Sequence, residues 1–205
     1  MRSYGQYCGL AKALDVVGDR WTLLIIRELL IRPACRYTDL QNGLPGIATN
    51  LLADRLRGLE EAGLVKRVAA TVFGLTARGL ELEGAVRALG LWGAPLLATA
   101  ERTDAYRAHW LLMPLTMLLR DRAPSGKPVN IELRTGEEPV VLEAAHGEVR
   151  ARMGASENPD AVLTGHPGVL LGVLTGKLEL KKALKSGMRL AGNSEVLNRF
   201  ELNAT

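Results

Sequence analysis

Arg36-Tyr-Thr-Asp-Leu-Gln-Asn-Gly-Leu-Pro-Gly-Ile-Ala-Thr-Asn-Leu-Leu-Ala-Asp-Arg-Leu-Arg-Gly-Leu-Glu-Glu-Ala-Gly-Leu-Val-Lys-Arg67 reads as a short helix, a Pro-Gly turn, a second amphipathic helix and a basic strand. That order is what a module needs to put one helix into a DNA groove. Thr38 is a plausible N-cap for the short helix Asp39–Asn42, which Gly43 terminates. Pro45-Gly46 makes the turn, and the next helix runs from about Ala48 to Ala62 with Gly63 as its stop.

At about 100° per residue, Ala48, Leu51, Leu52, Leu56, Leu59 and Ala62 share one broad face of that helix. Asn50, Ala53, Asp54, Arg57 and Glu61 share the other, with Thr49 at the edge. Only the N-terminal part of the polar face is free to enter a major groove, where helix amides also favour phosphate. Thr49 and Asn50 have short polar side chains suited to base edges, and Arg57 reaches for a base or a phosphate. Arg55 falls on the apolar side, so an anchoring ion pair is expected of it. Arg36 and Thr38 at the start of the short helix, and Lys66 and Arg67 on the strand, complete the expected DNA-binding set.

Working outward, Leu10–Val17 is a short apolar helix. Asp19 is placed to cap the next, Arg20 to about Leu30, which is nearly all apolar and should be buried. Leu64–Val68 and Val72–Leu75 form a short hairpin. Thr76 then caps a long helix through Trp92 that Pro95 kinks or breaks, and Tyr106–Leu119 is a further apolar helix.

Ala123-Pro-Ser-Gly-Lys-Pro marks a change of character. Strand patterns follow at Val129–Leu133, Val140–Ala144, Val149–Met153, Ala161–Thr164 and Met188–Ala191. Helices are expected at Pro167–Leu174, Lys181–Lys185 and Ser194–Phe200, the last capped by Asn193. The fold class is α+β: an N-terminal winged helix-turn-helix with further helices over 1–103, then a linker helix and a small α+β domain over 104–205.

The 205 residues are 47% hydrophobic and 23% charged, an ordinary globular composition. Net charge is +4. The first 103 residues hold 13 Lys/Arg against 10 Asp/Glu, the remainder 13 against 12, so most of the excess lies with the helix-turn-helix. No apolar run reaches the length of a membrane span and the N-terminus lacks a signal-peptide core, so the cytoplasm is expected and a membrane is not expected among the partners. His109, His146 and His166 have no metal-ligand spacing, and no phosphate loop or nucleophile elbow is seen. Neither a cofactor nor an enzymatic activity is expected.

Cys8-Gly-Leu-Ala-Lys-Ala-Leu-Asp-Val-Val-Gly-Asp-Arg-Trp-Thr-Leu-Leu-Ile-Ile-Arg-Glu-Leu resembles the opening of the HxlR-type bacterial transcriptional regulators. Arg36-Tyr-Thr-Asp-Leu, Leu44-Pro-Gly-Ile, Leu52-Ala-Asp-Arg-Leu-Arg-Gly-Leu-Glu-Glu-Ala-Gly-Leu-Val and Phe73-Gly-Leu-Thr-Ala-Arg-Gly continue the match, over about Tyr7 to Gly93. The resemblance implies a homodimeric DNA-binding repressor or activator on a pseudo-palindromic operator, with terminal helices at the dimer interface; a repressor is the expected sign. The hairpin between Val68 and Val72 is shorter than the wing of such proteins.

The later stretches Asn158-Pro-Asp-Ala-Val-Leu-Thr-Gly-His-Pro, Leu170-Leu-Gly-Val-Leu-Thr-Gly-Lys-Leu and Ala183-Leu-Lys-Ser-Gly-Met-Arg-Leu-Ala-Gly-Asn resemble the sterol carrier protein type of lipid-binding domain. That resemblance implies an apolar small-molecule effector, with a role in dimerisation alone as the alternative for this domain. Trp110, Met113, Met117, Leu170 and Leu174 are candidate ligand-lining residues, against the plainer reading that they are core. Cys8 occupies the position of a family thiol sensor, one turn before Lys12, and Cys35 lies in an arginine-flanked loop. Two alternatives therefore stand beside the ligand-controlled regulator. One is a redox switch through Cys8. The other is a lipid carrier or small enzyme whose winged helix makes protein contacts.

Overall fold

A computed structural model describes residues 3–99 and 103–203. The chain forms two compact units, Met1–Ala105 and Tyr106–Thr205.

The N-terminal unit runs α1 (Gly9–Val17), α2 (Thr22–Ile31), β1 (Cys35–Arg36), α3 (Tyr37–Gly43), α4 (Thr49–Glu61), β2 (Val65–Ala69), β3 (Val72–Leu75), α5 (Ala77–Leu80) and α6 (Glu83–Gly93). A 3-10 turn, Ala94–Thr99, follows at Pro95. The strands form an antiparallel sheet in the order β1-β3-β2. Ile25, Ile26 and Leu29 of α2, Leu40 of α3, and Leu52, Leu56 and Leu59 of α4 are buried, so the apolar stripe of each helix meets a common core.

Three local expectations are corrected. Asp19 does not cap α2: the helix starts at Thr22 after Trp21 in the left-handed region (φ 80°), and Asp19 instead pairs with Arg55 at 3.0 Å. Thr38 is not the cap of α3, because Arg36 precedes the first helical residue and the Asp39 carboxylate accepts the Arg36 N–H at 3.0 Å. The single long helix after Thr76 is two. Thr76 does cap, its hydroxyl oxygen accepting the Gly79 N–H at 3.1 Å while the hydroxyl donates to the Gly63 carbonyl at 2.7 Å. This bonding holds a four-residue helix against the β2 entrance, and the chain must turn through 81–82 before α6 begins.

The C-terminal unit begins with a 3-10 turn, Ala108–Leu111, running into α7 (Leu112–Leu118) and β4 (Leu119–Asp121). The expected continuous helix is split because Pro114 has no N–H to donate to the preceding turn, and Leu119 is already extended. The unit continues with β5 (Val129–Arg134), β6 (Val140–Ala145), β7 (Glu148–Met153), β8 (Ala161–Thr164), α8 (Pro167–Leu174), α9 (Leu180–Lys185), β9 (Arg189–Gly192) and β10 (Phe200–Leu202).

Five strands form one sheet in the order β7-β6-β5-β8-β9, with β8 parallel to β5 and the other pairs antiparallel. Ile131, Leu133, Leu142 and Leu163 point from one face into a core closed by Leu111, Leu115, Leu170, Leu174 and Phe200. The expected last helix is a 3-10 turn, Ser194–Arg199, that Asn193 caps through Glu195. Phe200 leaves it as a strand because it pairs with Asp121 of β4. Below that pair the Asp121 carboxylate is buried and takes two guanidinium bonds from Arg199, each 2.9 Å, which fixes the strand ends.

Candidate nucleic-acid interface

Helix α4 has the two faces its sequence requires. Leu52, Leu56 and Leu59 are buried, while Thr49, Asn50, Asp54 and Arg57 are exposed. Ala48 is the exposed N-cap rather than part of the packed face. The Asn50 side-chain oxygen accepts the Leu51 N–H at 2.9 Å, which fixes the side chain on the first turn. Arg57 pairs with Asp54 at 3.3 Å, with both side chains largely exposed, a weak and easily exchanged contact. Arg55 makes the anchoring pair with Asp19 and also donates to the Arg20 carbonyl at 3.4 Å.

What holds α3 and α4 in place was not legible beforehand. Glu28 of α2 is fully buried between two guanidinium groups, Arg32 at 2.6 Å and Arg27 at 2.7 Å. Those arginines also reach α3: Arg32 donates to the Asp39 carbonyl at 3.1 Å and Arg27 to the Gly43 carbonyl at 3.4 Å. A side chain at Gly43 would strike the Glu28 carboxylate, so this glycine serves a close approach as well as a helix stop. Tyr37 supplies the second brace, its hydroxyl donating to the Thr49 carbonyl at 2.6 Å. The only sequence signal for this set was three charges in the otherwise apolar run Leu23–Ile31 and its border.

The wing is a β2–β3 hairpin with a bulge between Arg67 and Ala69. Lys66 is exposed. Arg67 is exposed too, but it is committed within the protein. Its guanidinium lies 5.0 Å over the Phe73 ring, donates to Glu60 at 3.1 Å and to the Ala70 carbonyl at 3.0 Å. Between α4 and this hairpin lies a cleft of about 230 Å³, bordered by Tyr37, Ala53, Arg57, Arg67, Thr71 and Phe73. The structure thus brings Thr49, Asn50, Arg57 and Arg67 to one side of the unit, with Tyr37 as the residue that sequence reasoning missed. Arg36 and Thr38 are exposed at the α3 entrance.

The two cysteines differ. Cys8 is exposed at the N-cap of α1, and the Ala11 and then the Leu10 backbone N–H groups hold its thiol below the ordinary range. Lys12 contributes elsewhere, pairing with Asp15 at 3.7 Å. Cys35 is buried, and burial pushes its thiol up to about 11. Its Sγ faces the Arg32 carbonyl at 3.4 Å, so the arginine-flanked loop does not make it reactive.

Of the candidate ligand-lining residues, Leu170 and Leu174 are core. Trp110, Met113 and Met117 are half-buried, with Trp110 edge-on to Tyr106 and His109.

Residues 16–101 match the family model of the HxlR-like helix-turn-helix. An uncharacterized HTH-type transcriptional regulator of Synechocystis sp. is 31% identical over 99 residues, 45% of this chain and 73% of that protein. The chain belongs to the HxlR-like helix-turn-helix family. An uncharacterized HTH-type transcriptional regulator of Mycobacterium bovis is 38% identical over 98 residues, 45% of this HxlR-like chain and 61% of that protein. Among solved structures, the quinone-bound YodB of B. subtilis is 28% identical, covers 42% of the chain and 96% of its own, and superposes with a TM-score of 0.39. Residues 121–202 match the model of the SCP-2 sterol transfer family, so the HxlR-like module is joined in this protein to an SCP-2 domain.

Proposed function

We propose that this protein is a homodimeric repressor that reads a pseudo-palindromic operator with the first turn of α4, under the control of an apolar ligand held in the SCP-2 domain. The observation that carries the DNA reading is the exposed Thr49, Asn50 and Arg57 on a helix braced by Tyr37 of α3, which Glu28 and its two arginines hold in turn. A rigid support is what discrimination between base edges demands. Arg36, Thr38 and Lys66 flank that turn for phosphate contacts, while Arg67 stiffens the hairpin beside it, and the relatives named as HTH-type transcriptional regulators favour the same reading. No helix among the described residues is long and apolar enough to cross a membrane. A regulator of this kind works in the cytoplasm and needs no catalytic activity.

Dimerisation is supported by α1 and α6, which expose large apolar side chains: Leu10 is 69% exposed, Leu89 52% and Trp92 75%. Apolar surface of that extent calls for a partner, and a second copy brings two reading helices to two half-sites. The ligand reading rests on α8, which is apolar around its whole circumference, with Val169, Leu171 and Val173 only partly covered. The test is a shift assay on the gene's own upstream DNA. Specific binding that falls steeply with salt, and whose affinity changes on adding a fatty acid, is the expected result. Retardation of no promoter fragment, together with co-purified lipid, would instead favour a carrier.

One observation favours a second reading, a thiol switch. The lowered pKa of exposed Cys8 gives it more thiolate at neutral pH than an ordinary cysteine. Its alkylation rate should therefore rise through a pH range below that of free cysteine, while Cys35 resists until denatured. Oxidant-dependent DNA release that persists in Cys8→Ser removes this reading.

A further inference from the structure

We propose that the face formed by α9 and its flanking loops docks on an anionic lipid surface, the step by which the SCP-2 domain would collect an apolar ligand. The proposal deepens the ligand reading above and rests on it for its purpose. It also revises the expectation that no membrane is a partner, since contact with a lipid surface requires no spanning helix.

The charge of the C-terminal unit is concentrated in one place. Between Lys177 and Arg189 stand five cations, Lys177, Lys181, Lys182, Lys185 and Arg189, against the single carboxylate of Glu179. The stretch therefore carries a net charge as large as the whole chain's +4. Outside it, the unit carries eight Lys/Arg against ten Asp/Glu, two of the acids being the buried Asp121 and Glu132, so its remaining surface has no cationic excess to compete with this stretch. All five cations are exposed. Among the described residues only Lys182 is engaged in an ion pair, with Glu179 at 3.3 Å.

The apolar half of the surface distinguishes lipid from nucleic acid. Lys181 and Lys185 are one turn apart on α9, and Leu184 lies on the same side, 43% exposed. Leu178 and Leu180 are half-buried beside them. Helix α8 adjoins directly: the Leu178 N–H donates to the Gly172 carbonyl at 2.9 Å, and a Cβ on Gly172 would sit 3.1 Å from that of Leu178. Lysines that can snorkel around an exposed leucine, next to a helix that is apolar all round, suit a headgroup layer above acyl chains. A DNA backbone would leave Leu184 facing water or phosphate.

The test is sedimentation of the full-length protein with two kinds of vesicle, pure phosphatidylcholine and phosphatidylcholine with equal phosphatidylglycerol. Binding to the anionic vesicles only, weakened by added salt, is expected. The double variant Lys181→Gln/Lys185→Gln should bind them about tenfold or more weaklier than wild type, and Lys127→Gln, an exposed cation outside the patch, should not differ. Equal binding to neutral vesicles, no binding to either, or an unchanged double variant overturns the proposal. So does a double variant that loses duplex DNA affinity while keeping vesicle affinity, because the patch would then serve DNA. Binding of a dansyl-labelled fatty acid, measured without vesicles, separates the two claims. If the wild type binds anionic vesicles but not the fatty acid, the ligand reading fails and docking stands. If it binds the fatty acid but no vesicles, docking fails alone.

Discussion

Helices α4 and α8 are built on opposite plans. In α4 the apolar residues keep to one face, and the opposite face begins with Thr49 and Asn50 in solvent. In α8 there is no polar face: Leu170 and Leu174 are core and the residues between them are apolar and partly covered. The buried charges follow the same division. In the N-terminal unit, Glu28 and its two arginines lie under the functional helices and touch both Asp39 and Gly43 of α3. In the C-terminal unit, the buried Asp121 carboxylate ties strand ends and a loop instead. Base edges are told apart by direction, so their reader needs a fixed orientation. An apolar ligand needs apolar surroundings, which α8 supplies without any polar reference point.

The comparison can be broken most strongly at Glu28. Glu28→Ala leaves two guanidinium groups without their buried partner and should cost about 3–5 kcal/mol, seen as a large fall in Tm. A near-neutral result would mean that charge does not set the geometry of the N-terminal unit. Next is Trp92→Glu, which puts a charge on the exposed apolar face. The dimer dissociation constant by analytical ultracentrifugation should rise about thirtyfold or more. Asn50→Ala should then weaken operator binding roughly five- to hundredfold while leaving non-specific DNA binding unchanged. Smallest is Tyr37→Phe, which removes one hydrogen bond to the Thr49 carbonyl and should cost about 1 kcal/mol. Its diagnostic is a loss of discrimination between operator and mutated operator that exceeds the loss of stability.

Much of this arrangement was legible where periodicity and punctuation agree. The stripe Leu52, Leu56, Leu59 and the stop at Gly63 marked α4 to within a residue, and the alternation in Val129–Leu133 and the short apolar run Val140–Ala144 marked two interior strands. Legibility failed where partners are distant in sequence. Asp19 looks like a cap locally, yet it serves Arg55 on another helix. Phe200 looks like the end of a helix, yet its partner is Asp121, far earlier in the chain. Arg67 belonged by type to the phosphate contacts, and only the fold shows it occupied by Phe73, Glu60 and Ala70. Tyr37 went unnoticed because its role depends on the turn that carries Thr49 back over α3.

The most direct test of the central claim is a titration of the full-length protein against its own upstream DNA with excess competitor, comparing wild type with Thr49→Ala/Asn50→Ala. The wild type should select a two-half-site segment over competitor, with half-sites about one helical turn or a multiple apart. The double variant should bind both DNAs with the same, non-specific affinity. Undiminished selectivity in the double variant, or none in the wild type, would contradict the account.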